Sequence, residues 1–215
     1  MSAHSPDWRQ HSKIRKVHRL NAMVLAVFIF AHLFNHLLFA AGVERHIATM
    51  DALRAVYRLP LIDIALYVLF AIQIILGLVL ARRNWRPDSP WAWAQVVSGL
   101  AFAFFLAQHL VATVIVRNFF SNIDTDAYWA LSVVSEIPLS LYFAPYYWLG
   151  VFSLFVHIAS AVHFARSPGI SRFAPVGMVA GAVVATVIVG SMVMLASSTD
   201  LPEHYQRYLT EFFSL

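Results

Sequence analysis

Apolar residues gather into five long runs along the chain, Leu20–Ala41, Pro60–Ala81, Trp91–Val116, Pro145–Ala165 and Pro175–Ala196, separated by short polar stretches. Crossing a bilayer as an α-helix takes about 20 predominantly apolar residues, so each run predicts one transmembrane helix. Prolines cluster at the run ends, among them Pro60, Pro87, Pro90, Pro138, Pro168 and Pro175, where a helix tolerates them best. The first run is too long for the apolar part of a signal peptide, follows a hydrophilic tail, and is not followed by a small-residue cleavage site. The expected fold is an all-α integral membrane protein, a five-helix bundle over residues 20–196. A basic tail of residues 1–19 precedes it and a polar tail of residues 197–215 follows.

Composition agrees with the pattern. Sixty per cent of the 215 residues are hydrophobic and only 12% charged, with a mean hydropathy of +0.68, whereas a soluble domain carries about 25% charged residues. There is no cysteine, which removes disulfides, thiolate metal sites, iron–sulfur ligation and thiol nucleophiles. A net charge of +4 is better explained by sidedness than by nucleic acid. With the N-terminus in the cytoplasm, the basic tail from Arg9 to Arg19, Arg82, Arg83, Arg86, Arg166 and Arg172 all fall inside, leaving Arg45, Arg54, Arg58, Arg117 and Arg207 outside. That is the bias expected of cytoplasmic loops, and it places the C-terminus outside.

Two local features add detail. The loop Arg117–Ala144 is rich in aromatic residues, which favour the headgroup zone, and Asp124–Ser135 reads as a helix lying on the outer surface with Asp124 as its N-cap. In the last run, Gly177, Gly181 and Ala185 recur every fourth residue, a spacing that lets helices approach closely, within the bundle or between copies.

Five of the ten histidines lie inside the runs: His32, His36, His109, His157 and His163. Ionisable groups at bilayer depth are costly and tend to be functional, although a single membrane histidine often does no more than bond two helices together. Depth sharpens the reading. His32 stands nine residues before Ala41 and His109 seven before Val116, which puts both about 10–14 Å below the same boundary. Two imidazoles on separate helices at one level suit a haem held between histidines. His36, one turn from His32 on the same face, could replace it, bond a haem propionate or bond across helices, and Arg45, Arg58 and Arg117 are candidate propionate partners. His157 lies eight positions from Ala165, and its depth partner on the second helix is Gln73, eight positions from Ala81. That pair could bond one another or receive a quinone carbonyl. His163 falls near the inner boundary.

These residues resemble the five-helix cytochrome b anchor subunit of succinate:quinone oxidoreductases, the succinate dehydrogenase and fumarate reductase family. The likeness runs from Arg15 to about Arg166. It rests on Val17-His18-Arg19-Leu20 leading to His32-Leu33, on Met50 to Arg58 before the second helix, on Gln95-Val96-Val97-Ser98-Gly99 ahead of His109, and on Phe155-Val156-His157 with Ala161 one turn on. The resemblance implies haem b, with His32 and His109 holding a distal haem and His157 one ligand of a proximal haem. Gln73 stands where the family has the second proximal histidine, so one haem is expected. It also implies flavoprotein and iron–sulfur partners on the cytoplasmic side, a bacterial cytoplasmic membrane, and electron exchange with quinone. Gln73, Gln95, Gln108 and Asn35 are candidate donors to the quinone.

Other classes compete with this reading. A haem-binding sensor or carrier could use the same pair, and a cofactor-free anchor or transporter could use its histidines only as bonds between helices. A retinal protein is excluded because the only lysines are Lys13 and Lys16, neither placed for a Schiff base within a run. No HExxH, GxSxG or intramembrane carboxylate pair points to a hydrolase.

Overall fold

The computed structural model describes residues 8–120, 123–165 and 168–207, and the fold is helical throughout them. Helix α1 (Trp8–Leu37) begins well before the first apolar run and tightens into a 3-10 turn at Leu38–Ala41. Gly42, at φ 107°, then turns the chain where any side chain would be strained. Helices α2 (Val43–Tyr57) and α3 (Pro60–Arg83) follow. Proline stands at the first residue of α3 and of α4 (Pro90–Phe119), where its missing N–H costs nothing. Ser89 caps α4 by accepting from the Ala92 N–H.

Helices α5 (Ala127–Ser135), α6 (Leu139–His163), α7 (Pro168–Ser171) and α8 (Ala174–Ala196) complete the order. Among the described residues, α1 with its 3-10 extension, α3, α4, α6 and α8 (from Gly169) are long and apolar enough to cross a membrane, which matches the five runs. The fourth helix starts earlier than its run because Pro145 is accommodated inside α6. Only one backbone bond of that turn is lost, and stacked Tyr142 and Tyr146 cover it.

The five long helices form a ring. Helix α6 packs between α4 and α8, α3 lies between α1 and α4, and α1 meets α8 to close the circle. Small residues set the tightest contact. A side chain on Gly181 would collide with Phe155, while Gly177 faces Ala159 and Ala185 is fully buried. The small-residue stripe is therefore used to pack α8 on α6 inside the bundle. Around the outside, Leu61, Ile64, Val68 and Ile75 of α3 are exposed, part of an apolar belt far larger than a water-soluble monomer carries.

The short helices correct the sequence reading. The loop helix begins at Ala127, and its N-cap is Asp126, whose side chain accepts from the Trp129 N–H at 3.0 Å. Asp124 takes another role, described below. Nor does α5 lie on a surface: Ala127, Leu131 and Ser132 have no exposure at all, and the helix packs on α6, α8 and α2. Its sequence, AYWALSVVS, offers no polar face, and a helix apolar on every side is buried. Helix α2 was not foreseen. His46, Met50, Arg54 and Tyr57 recur along one of its faces, and all four look into the bundle.

Candidate functional site

At the α2/α5 end, the helix ring encloses a cavity in which about 210 Å³ is open to the centres of water molecules. One water needs about 10–15 Å³ by that measure and about 30 Å³ of liquid, so the contents amount to about 500 Å³, within the range of cofactor sites. His32 and His36 reach it from α1, His46 from α2 and His109 from α4. Because they face this space, side chains deep in the bundle retain partial exposure.

The predicted pair is brought together. The His32 and His109 rings have centroids 6.0 Å apart with planes 61° from parallel. Two imidazoles binding one metal through nitrogens at about 2 Å each place their centroids about 6 Å apart. Packing fixes both rings: Phe28 stacks on His32 at 5.5 Å and Phe105 on His109 at 5.4 Å. Phe105 has its position because α6 presents Gly150 to it, and any side chain there would overlap the phenyl ring. His36 follows its expected face and places its Nε2 3.1 Å from the His32 Nε2.

The sequence did not foreshadow His46. It is 2% exposed, stacks on Phe39 at 3.8 Å, and continues the chain of imidazoles, with its Nε2 3.1 Å from the Asn35 Nδ2 and 3.4 Å from the His36 Nδ1. Burial, with the charges of His32 and Arg54 adding to it, lowers its pKa to about 4, so the ring is neutral at physiological pH.

The rim is charged. Arg54 donates to the Asp124 carboxylate at 2.8 Å and to the Thr125 carbonyl at 2.6 Å, and Arg58 donates to the same carboxylate at 2.7 Å. These bonds latch α2 to the start of α5. Arg117 of α4 pairs with Asp63 of α3 at 2.9 Å and donates to the Tyr67 hydroxyl. Arg58 and Arg117 thus stand where the sequence placed them. Arg45 is exposed and does not line the cavity, and Arg54 stands at the rim in its place.

Asp124 titrates under opposed influences. Burial raises its pKa, but the Arg58 hydrogen bond and the charges of Arg54 and Arg58 outweigh that and hold it below the usual 3.8. A depressed carboxylate pKa contributes stability above the unfolded-state value, and that stability is lost as pH falls through the folded-state value. Acidification below about pH 3.8, or Asp124→Asn at neutral pH, is therefore expected to release α2. Faster amide exchange across residues 43–57, with α3 unchanged, is the expected readout.

His157 lies elsewhere, in the half of the bundle away from α2. Its Nδ1 is 3.0 Å from the Gln95 carbonyl, and its ring packs against α4 at Gly99, where a Cβ would lie 2.9 Å from it. Gln73 is not its bonding partner. The Gln73 side chain accepts from Asn21 at 2.7 Å and sits 3.2 Å from His18. His18, read from the sequence as part of the tail, belongs to α1 and is close enough to His157 for their charges to interact. The other quinone candidates scatter. Gln108 is exposed and bonded by Tyr142, and Asn35 belongs to the cavity. His163 stacks on Trp91 at 4.3 Å near the opposite end of the bundle.

Among the described residues, no three or more His, Cys, Asp or Glu side chains are grouped to hold a bare metal ion. A haem makes a smaller demand, because the macrocycle supplies four nitrogens and the protein only axial ligands. Two observations fit the residues present to that group: the 6.0 Å spacing of the His32 and His109 rings, and three buried polar atoms on cavity-lining residues that lack a protein partner, Asn35 Oδ1, His46 Nδ1 and Trp129 Nε1. Leaving such a group unpaired costs about 1–3 kcal/mol, so these atoms suit a ligand with polar groups of its own. Comparison of this chain with known protein families, with characterised proteins and with solved structures returns no match.

Proposed function

We propose that this chain is a b-type cytochrome that holds one haem between His32 and His109 and carries electrons across the apolar interior of a membrane. The observation supporting this most directly is the 6.0 Å spacing of those two rings, at the wall of a cofactor-sized cavity that neither helix could form alone. Haem bound there supplies one-electron redox chemistry. The chain's own residues supply the axial nitrogens, aromatic packing that orients them, and an apolar surround that keeps water from the metal. Holding iron at His32 would exchange its bond to His36, and His36 would then remain as the neighbour that orients it.

The basic residues of the N-terminal tail and of the segments 82–86 and 166–172 support an N-terminus in the cytoplasm, with the cavity toward the opposite face. By resemblance to the succinate dehydrogenase and fumarate reductase anchors, the electron partners proposed are a flavoprotein with an iron–sulfur subunit on the cytoplasmic side, and a quinone in the membrane.

Absorption spectroscopy tests this reading. The purified chain from haem-sufficient cells is expected to show a Soret band and a sharp α band on reduction. A colourless preparation would leave the histidines as bonds between helices in a cofactor-free anchor. Co-purification of flavin and iron–sulfur subunits would distinguish a respiratory anchor from a haem sensor or carrier.

A further inference from the structure

The cavity is chemically two-sided. Toward the middle of the bundle its wall is Phe28, Phe70, Phe102, Phe105 and Leu106, whereas Arg54, Arg58, Thr125 and Trp129 line it at the α2/α5 end. Trp129 is 7% exposed, and its indole N–H, which can only donate, is buried without an acceptor. The Arg54 side chain is 10% exposed. It shares the single Asp124 carboxylate with Arg58, so two guanidinium groups meet one counter-charge at that latch. Asp126, the next carboxylate, is engaged as the cap of α5.

We infer, building on the haem reading, that the cavity binds its tetrapyrrole in one orientation. The carboxylate edge is turned to the α2/α5 end and received by Trp129 Nε1 and Arg54, and the apolar edge is buried among the phenylalanines. A flat ligand with acid groups along one edge matches this division of the wall, and a carboxylate both satisfies the orphaned indole and completes the charge of the latch. The buried helix α5 then has a task in recognition, since it is the element that carries Trp129 to the wall.

The probe pair is protohaem and its dimethyl ester, which has the same ring and iron without the acid groups. Each is titrated into the full-length haem-free chain in detergent and followed by the bis-imidazole spectrum. Wild-type protein is expected to prefer the free acid by about tenfold or more, the discrimination of a charge-assisted hydrogen bond. In Trp129→Phe, which keeps the ring bulk, and in Arg54→Gln the preference should shrink severalfold while affinity for the ester changes little. Equal binding of acid and ester by the wild-type chain overturns the orientation and leaves the haem reading standing. An undiminished preference in both variants overturns the assignment to these two residues. Binding of neither porphyrin removes the haem reading, and this inference with it.

Discussion

Replacing either His32 or His109 with alanine is expected to abolish the low-spin b-type spectrum, not merely weaken it. One axial nitrogen comes from α1 and the other from α4, and the rings stand 6.0 Å apart, so a single substitution removes half of one site and leaves no equivalent donor opposite. His36 is the nearest possible substitute, with its Nε2 3.1 Å from the His32 Nε2. The double variant His32→Ala/His36→Ala therefore belongs in the same experiment. If His32→Ala retains a shifted spectrum that the double variant loses, His36 is acting as a replacement. Retention of the unchanged spectrum in both His32→Ala and His109→Ala would eliminate the pair as ligands. Because Phe28 and Phe105 stack on these rings, folding should be checked by helicity so that loss of colour is not loss of the bundle.

The second large effect is a ratio. A pyridine haemochrome assay is expected to return one haem per chain, and His157→Ala should leave both the ratio and the spectrum intact. The reason is local packing. The His157 Nδ1 is engaged by the Gln95 carbonyl, and the ring packs on the α4 backbone at Gly99, while the histidine expected across from it is replaced by Gln73, already committed to Asn21 and His18. A ratio of two, falling to one in His157→Ala, would overturn this and point to His18 as the second ligand, because α1 brings it within charge range of His157.

Much of the architecture was legible in the sequence because a bilayer imposes length and hydropathy on anything that crosses it. The five runs, the prolines at helix starts and the matched depth of His32 and His109 all survive in the fold. What escaped depends on distant partners. Asp124 and Asp126 are both sound N-cap residues two positions apart, and the choice between them follows from Arg54 and Arg58, some 66–70 residues away in sequence, drawing Asp124 into the latch. Helix α2 is short and charged, so no hydropathy window reveals it. Its inward face is visible only as the three-to-four-residue spacing of His46, Met50, Arg54 and Tyr57. His18 was misplaced because a basic neighbourhood suggests a solvated tail, whereas α1 is already helical there and turns one face to the bundle.

The burial of α5 has a practical consequence for mapping which way the chain sits. A reporter fusion or epitope spliced into residues 127–135 would have to evict side chains with no exposure and would break the Asp126 cap, so it would report on a damaged molecule. The turn at Asn84–Asp88, where Trp85 and Arg86 are exposed, can accept such an insertion without touching the cavity. A single engineered cysteine there would label without background, since the chain has no thiol of its own.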